Sequence, residues 1–298
     1  MVVVIIFFDR PDLLSGALEN IRLFPVSRLH AVSDGPRADD GASRERVDSC
    51  RRLIEEFSKD QPTIFHYSTK NLGCQQRILT GLDEVFRVEK EAVLLEDDIR
   101  YDESFVRYCR TGLECFRGAL EVGSICGKGF PGFHKLAQGP VCRSIYSGSW
   151  GWATWRDRWQ KFREDNLELK ILDDKESPAW LRMEKKEWLF WQDRIGKARS
   201  GVLDSWAYPW QAFCWQSGWW TLRPSANLTV NVGFRSDATH TKDIPPGIVG
   251  KIEPWTCPDL EMMRSAPERS VDPILSDWIR PGAMKLTRRL NRFIRGWR

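Results

Sequence analysis

The first half of the chain alternates short apolar runs with longer segments in which apolar residues recur every three or four positions. Runs of about four to eight apolar residues are typical of buried strands, and the periodic segments are typical of amphipathic helices. The runs predict strands at residues 2 to 8, 28 to 33, 63 to 67, 92 to 95 and around 125. The periodic segments predict helices at residues 11 to 23, 42 to 58, 74 to 88 and from residue 102 to about 120. This alternation indicates an α/β fold with a mostly parallel central sheet flanked by helices.

Charged residues follow three of the predicted strands at the point where each strand ends. The first strand is followed by Asp9-Arg10, the second by Asp34, and the fourth by Glu96-Asp97-Asp98. Because parallel strands bring their carboxyl ends to the same side of a sheet, we expect these side chains to converge on one crevice. Two or three carboxylate oxygens suit a hard divalent cation that is shared with a diphosphate.

Each of these residues has a candidate role. We expect Asp98 to bind the cation directly, and Glu96 and Asp97 to lie toward a nucleotide sugar or a metal-bound water. The alternative for the three acids is a solvated helix N-terminus, where acids stabilise the helix dipole. An arginine such as Arg10, with Asp9 beside it, suits a diphosphate or a base edge.

Two turns complete the predicted crevice. Asp34 could accept an N–H group from a nucleotide base, although Asp34-Gly35-Pro36 is also an ordinary turn sequence. Asn71-Leu72-Gly73 precedes a helix and offers backbone N–H groups near a phosphate, or it is a plain loop.

Length and composition agree with a globular enzyme-sized domain. The chain has 298 residues, of which 42% are hydrophobic, enough for a full core. Its start lacks a basic leader and a cleavage site, and no segment has the length of an apolar membrane span. The eight cysteines are scattered without metal-ligand spacing, which favours free thiols and a cytoplasmic location. We expect one domain over residues 1–280, with a nucleotide-binding half at 1–126 and an acceptor-side half at 127–280.

The net charge of +4 is concentrated at the end of the chain. Residues 281–298 carry six cations and no acid, without which the net charge would be −2. Apolar residues of this tail share one helical face, a pattern typical of a helix on an anionic membrane surface. Docking on the parent domain is the alternative. Nucleic-acid binding is not expected, because the rest of the chain has no basic patch or recognition motif.

Fifteen tryptophans form the second unusual feature of the composition. One group surrounds Gly148-Ser149-Trp150-Gly151-Trp152, and another lies between Trp206 and Trp220. Such aromatic residues either form a wall for a sugar ring or pack in the core. His240, in a polar loop, either joins the metal or the diphosphate, or has no chemical role.

Seven segments occur in an order that resembles bacterial nucleotide-sugar glycosyltransferases: FDRPD, VSDGPR, NLGCQQRILTGLDEVF, VLLEDDIRYDESF, GSWGWATWRDRW, DSWAYPWQ and VNVGFRSDATHT. These enzymes are distant relatives of N-acetylglucosaminyltransferase I, a metal-dependent inverting enzyme of the GT-A fold. The resemblance covers roughly residues 2 to 241.

The resemblance implies a GT-A-like fold, a UDP-sugar donor and Mn²⁺ or Mg²⁺. It implies that Asp34 meets the uracil, that Arg10 lies beside the nucleotide, and that Asp98 binds the metal. It also implies that Asp204 is the catalytic base. The related enzyme carries two acids in that segment, whereas here Asp204 is the only carboxylate near Trp206. The alternative for Asp204 is an N-cap of the helix that follows it.

The chemistry of sugar transfer also calls for such a base, because an attacking hydroxyl must lose its proton. The expected acceptor is a hydroxyl of a glycan or a lipid-linked glycan, with contact to the inner face of the cell membrane through the tail. Two other functions remain open: a sugar nucleotidyltransferase, and a non-catalytic protein that binds glycans or membranes. The first normally has a glycine-rich basic loop after its first strand, which Asp9-Arg10-Pro11-Asp12 is not.

Overall fold

The computed structural model describes residues 1–129, 139–165, 169–234 and 250–268, together with residues 272 and 276. Its strands are β1 (Val2–Phe7), β2 (Arg28–Ser33), β3 (Thr63–Tyr67), β4 (Glu91–Glu96), β5 (Ile99–Tyr101), β6 (Val122–Cys126), β7 (Val141–Ser144), β8 (Trp152–Trp155), β9 (Trp220–Pro224) and β10 (Thr229–Asn231). Its α-helices are α1 (Pro11–Arg22), α2 (Gly41–Phe57), α3 (Cys74–Val88), α4 (Glu103–Phe116), α5 (Arg156–Asp165), α6 (Lys185–Arg199), α7 (Ala207–Gln216) and α8 (Leu260–Arg264).

Eight of these strands form one sheet in the order β3-β2-β1-β4-β8-β6-β9-β7. β1 pairs in parallel with β2 and β4, and β2 pairs in parallel with β3. β8 is antiparallel to both β4 and β6, and β7 is antiparallel to β9. β5 and β10 form a separate antiparallel ribbon. The predicted α/β fold with a mostly parallel sheet is therefore confirmed.

Helices cover both faces of the sheet. Apolar side chains of α1, α2 and α4 pack on one face, around Ile5, Ala31 and Leu95. Those of α3, α5, α6 and α7 pack on the other face, around Val4 and Leu94. Strands that are buried on both faces appear in sequence as nearly continuous apolar runs, which is why β1 and β4 were recognisable from the sequence.

The path of the chain creates a crevice at one point of the sheet. From β1 it proceeds to β2 and then β3 on one side, and it later returns to place β4 on the other side of β1. The loops after β1 and β4 consequently leave the sheet in opposite directions. Ligands of open α/β sheets bind at this kind of switch point, outside the carboxyl ends of the strands.

The sequence predicted most boundaries of the first half within a few residues, but it missed β8. This strand is the four-residue segment Trp152–Trp155 and continues directly into α5, so its apolar residues look like part of a helix. Only pairing with the distant strands β4 and β6 makes it a strand. No helix in the described part of the chain is long and apolar enough to cross a membrane.

The tryptophan groups serve mainly as core. Seven of the grouped indoles are nearly inaccessible: Trp152, Trp155, Trp159, Trp206, Trp210, Trp215 and Trp219. Trp152 stacks on Trp206 with ring centroids 5.1 Å apart, which joins β8 to the start of α7. Trp150 is half-buried and remains a candidate for ligand contact. The tail at 281–298 and His240 lie outside the described residues, so their predicted roles stay predictions.

A buried arginine joins α5 to the turn between α4 and β6. Arg158 is 2% exposed, and its guanidinium donates hydrogen bonds to backbone carbonyls of Phe116, Arg117, Ala119 and Val122 at 2.9 to 3.2 Å. These carbonyls belong to the end of α4 and the turn that leads into β6. We therefore expect Arg158 to fix where β6 enters the sheet.

Replacing this arginine should be costly. Arg158→Met leaves several carbonyls without donors, so we expect the free energy of unfolding to fall by about 3 kcal/mol in urea denaturation. Arg52→Met is the matched control, because the exposed Arg52 bonds only the nearby Ser49 side chain, and it should change stability by less than about 0.5 kcal/mol. Equal effects of the two substitutions would contradict this role of Arg158.

Candidate functional site

Three of the predicted charged residues, Arg10, Asp97 and Asp98, meet at the carboxyl ends of β1 and β4. Arg10 donates from Nε to Asp97 Oδ2 at 3.3 Å and bonds Asp97 Oδ1 through Nη2. The same Nη2 lies 3.1 Å from Asp98 Oδ2. One guanidinium therefore connects the loop after β1 with the acids after β4, across the switch point of the sheet.

The acids are not a solvated helix N-terminus. Asp97 is 1% exposed and Asp98 is 7% exposed, while α4 begins only at Glu103, with Asp102 as its N-cap. Burial is the largest cause of a raised pKa at both Glu96 and Asp97, and repulsion from the Asp98 carboxylate adds to it. The Arg10 guanidinium opposes this rise at both groups. Arg100 opposes it more weakly at Asp97, so three carboxylates face two guanidinium groups.

Asp98 has the carboxylate oxygen best placed for a ligand. Its Oδ1 is buried and has no hydrogen-bond partner among the described residues. The segment after β10 closes on its other side: Val232 donates its N–H to the Asp98 carbonyl at 2.8 Å. A Cβ at Gly233 would lie 2.2 Å from Asp98 Oδ2, so only glycine fits there.

The fit of a divalent cation can be judged from these donors. Carboxylate oxygens are the ligands that Mg²⁺ and Mn²⁺ prefer, and the unpartnered Oδ1 of Asp98 is such a donor. Glu96 is the last residue of β4 and supplies a second carboxylate. Both oxygens of Asp97 are occupied by Arg10, so Asp97 serves to hold the arginine. Within the described ranges, no three His, Cys, Asp or Glu side chains group as a metal cluster.

Asp34 is placed differently from the prediction that it meets a base. Its carboxylate accepts hydrogen bonds from the backbone N–H groups of Gly35, Leu72 and Gly73 at 2.9 to 3.0 Å. Burial is the largest cause of a raised pKa at Asp34, and these backbone bonds oppose the rise. The Leu72 and Gly73 amides are therefore occupied and are not available to a phosphate. Asn71 also holds the turn, because its Nδ2 donates to the Gly35 carbonyl at 2.9 Å.

Asp9 belongs to a basic corner beside the same loop. Its Oδ2 accepts from Arg37 at 2.8 Å and from Arg46 at 2.9 Å. Arg37 also lies over the Phe8 ring, 4.6 Å from its centroid. The sequence analysis did not select Arg37 or Arg46. Arg37 is the last residue of the motif VSDGPR. Its place in this motif was the sequence signal that could have identified it.

Asp204 caps a helix, but not the one expected. Its two oxygens accept the N–H groups of Cys74 and Gln75, both at 2.7 Å, at the start of α3. The N-cap position of α3 is Gly73, which has no side chain to do this and adopts φ of 80°. α7 begins after Trp206 with no side-chain cap. The predicted role of Asp204 as base stays a prediction, and its carboxylate does lie at the edge of the crevice.

Lys128 is a rim residue that the sequence analysis missed. Trp152 pairs with Leu94 on β4 and with Cys126 on β6. Beyond this pairing, Gly127 donates its N–H to the Gly151 carbonyl at 2.9 Å, which brings the residues after β6 beside those before β8. The Lys128 ammonium lies 5.0 Å from the Trp150 ring centroid. A lone lysine after a buried strand gives only a weak sequence signal.

The comparisons with known proteins add little to this geometry. No family model matches the chain, and no curated protein matches its sequence. A crystal structure of UDP-glucose pyrophosphorylase complexed with UDP-glucose matches with a TM-score of 0.31 and 11% identity, over 54% of this chain and 78% of that chain. A match at this level assigns neither a family nor a function. The resemblance drawn from the motifs therefore stays a prediction.

The capping role of Asp204 can be measured directly. Asp204→Ala leaves two amides at the start of α3 without their acceptor, so we expect the free energy of unfolding to fall by about 1 kcal/mol in urea denaturation. Asp40→Ala is the matched control, because Asp40 caps α2 through the Ser43 N–H at 2.9 Å and should show a similar loss. An unchanged stability of Asp204→Ala, beside a destabilised Asp40→Ala, would contradict the cap.

Lys128 should give the protein a characteristic dependence on pH. Burial is the largest cause that lowers the pKa of Lys128, from 10.5 to about 8. Between these values the unfolded chain binds more protons at this lysine than the folded chain, so its contribution to stability rises with pH. The free energy of unfolding of the wild type, relative to Lys128→Met, should therefore rise by about 3 kcal/mol from pH 7 to 10.5.

Urea denaturation of both proteins at a series of pH values measures this difference. Arg52→Met provides the baseline, because a guanidinium does not titrate in this range. If the difference in free energy of unfolding between the wild type and Lys128→Met does not change with pH, the lowered pKa is refuted.

Proposed function

We propose that the protein is a metal-dependent glycosyltransferase that moves a sugar from a UDP-sugar to a hydroxyl of a glycan or lipid-linked glycan. The observation that supports this best is the buried acid cluster at the switch point of the sheet. There one buried oxygen of Asp98 has no hydrogen-bond partner among the described residues, and an arginine lies beside it. A cation with open coordination positions and a diphosphate together match this combination of charges.

In this proposal Asp98 holds Mn²⁺ or Mg²⁺ through Oδ1, and Glu96 lies close enough to join it or to orient a bound water. When bound, the ion stabilises the negative charge that grows on the departing diphosphate. Arg10 has a fixed position because Asp97 binds two of its nitrogens, which prevents the guanidinium from neutralising Asp98 completely. It remains 19% exposed and can donate to a phosphate oxygen.

The nucleoside would lie over the loop after β1. Arg37 and Arg46 converge there on Asp9, and their side chains are 46% and 43% exposed. Asp34 and Asn71 support this region indirectly, because they fix the backbone of the turns at 34–35 and 71–73. The predicted contact between Asp34 and uracil is replaced in this proposal by contacts from the arginines.

Asp204 is proposed as the base that accepts the proton of the attacking hydroxyl. A carboxylate has about four lone-pair sites, and the two amide bonds from α3 leave some of these for a further donor. Burial is the largest cause of the raised pKa of the Cys74 thiol, and the Glu96 and Asp204 carboxylates are the next largest. Both carboxylates therefore lie near Cys74, at the start of α3. An acceptor hydroxyl bonded to Asp204 would lose its proton to this carboxylate as it attacks the sugar carbon. Direct displacement at that carbon inverts its configuration, as the family resemblance also implies.

Substitution of Asp98 tests the metal and donor site. We expect the wild type to bind UDP at least 10-fold more tightly when Mn²⁺ is added, and to hydrolyse one member of a UDP-sugar panel slowly. Asp98→Asn should remove both the metal enhancement and the hydrolysis, because an amide oxygen carries no charge to hold the cation. Isothermal titration calorimetry measures the binding, and release of UDP measures the hydrolysis.

The control variant is Asp102→Asn, which removes one negative charge from the nearby N-cap of α4 and should retain metal-enhanced binding. Asp204→Asn should bind UDP normally and lose at least 100-fold in transfer. Release of UTP from the UDP-sugar on addition of pyrophosphate would identify a nucleotidyltransferase instead. Binding of UDP without any metal effect, and without turnover, would contradict the proposed enzyme.

A further inference from the structure

The strand at one end of the large sheet has an edge that no strand of the described residues covers. β3 is the last strand in the sheet order beside β2. At the opposite end, β7 meets Glu268 through a bridge at Arg143. On β3, Ile64 is 38% exposed and Phe65 is 42% exposed.

The hydrogen bonds at both ends of β3 reveal which of its backbone groups face outward. Leu29 N–H donates to the Pro62 carbonyl at 2.9 Å, and Ser68 N–H donates to the Ser33 carbonyl at 3.0 Å. In a parallel ladder, alternate residues of a strand direct both backbone groups to the same neighbour. Ile64 and His66 therefore face β2. The N–H and C=O groups of Thr63, Phe65 and Tyr67 face the open edge.

This edge lacks the features that usually prevent pairing. Natural edge strands are protected by proline, by lysine or other charged side chains, or by a bulge. The five residues of β3, Thr63–Tyr67, include neither proline nor Lys, Arg, Asp or Glu. They pair with β2 in unbroken register. β3 thus offers a regular set of donors and acceptors flanked by apolar side chains.

We propose that β3 pairs with β3 of a second copy of this chain, in antiparallel orientation, with Phe65 on the two-fold axis. Phe65 then faces the partner's Phe65, and Thr63 faces the partner's Tyr67. In this register every outward N–H and C=O group of the three residues meets a partner group. A two-fold arrangement uses the same surface on both chains, as is usual for closed dimers.

The charges that flank the strand favour the same register. Asp60 precedes β3 and Lys70 follows it, and both residues are exposed. In antiparallel pairing about Phe65, Asp60 of one chain and Lys70 of the other lie at the same end of the strand pair. The two-fold axis repeats this arrangement at the other end. The adjacent Lys59 is already paired with Glu56 of its own chain. The strand ends of two copies are therefore complementary in charge.

A residue on a two-fold axis meets its own copy, and this gives a sharp test. Phe65→Lys and Phe65→Glu each place like charges opposite one another, which destabilises a strand pair. We expect the wild type to sediment as a dimer of 34.6 kDa chains. Each variant alone should sediment as a monomer, and an equal mixture of the two should recover the dimer. Analytical ultracentrifugation over a concentration series measures all four samples.

Four further variants test the surface and the register. Leu120→Lys changes an apolar side chain that is 67% exposed elsewhere, and it should remain dimeric. Asp60→Lys and Lys70→Asp should each weaken the dimer, and the double variant should restore it. A wild type that is monomeric throughout, or a mixture of the two Phe65 variants that stays monomeric, would overturn the proposal. Because Phe65 lies on the surface, we expect its replacement to leave the fold intact. Circular dichroism checks that each variant is folded.

Discussion

The pairing of Arg10 with Asp97 and Asp98 is the interaction on which the crevice depends. Strand pairing holds β1 and β4 side by side, so the residues that follow them cannot separate. Three carboxylates are thereby held close together, and Arg10, which pairs with Asp97 and Asp98, carries a single positive charge. Burial makes this shortage of positive charge more expensive than it would be in water. A divalent cation would supply the missing charge at Asp98, where an oxygen has no partner in the described part of the chain.

A second set of carboxylates fixes the backbone at the start of α3. Asp34 accepts from the Leu72 and Gly73 amides, and Asp204 accepts from Cys74 and Gln75. Of these four successive N–H groups, the first two are held by the residue after β2 and the next two by the segment before α7. A Cβ at Gly73 would lie 2.9 Å from Asp204 Oδ2, so glycine is required where the two carboxylates approach. The start of α3 is therefore tied to the end of β2 and to the segment before α7, and any proton transfer through Asp204 would take place on this frame.

The sequence predicted what depends on local pattern and on strand polarity. The strands of the first half, the meeting of Arg10 with the acids, and the free thiols all follow from such rules. The partners of Asp34 and Asp204 do not, because a carboxylate near a turn looks the same whether it binds a ligand or a distant amide. The bond from Cys74 to Asp204 spans 130 residues, and no local signal encodes it. The position of Lys128 beside Trp150 likewise depends on β8, a strand that only long-range pairing defines.

The proposed dimer and the proposed site constrain each other through strand polarity. The crevice lies at the carboxyl ends of β1 and β4, and β3 runs in the same direction two and three strands away from them. Antiparallel pairing of two β3 strands reverses this direction in the partner, so the two crevices open at opposite ends of the joined sheet. Each site would then bind its donor independently, with no shared substrate channel. A flat membrane could face only one of the crevices at a time, so a lipid-linked acceptor would have to extend from the bilayer or reach the two sites in turn.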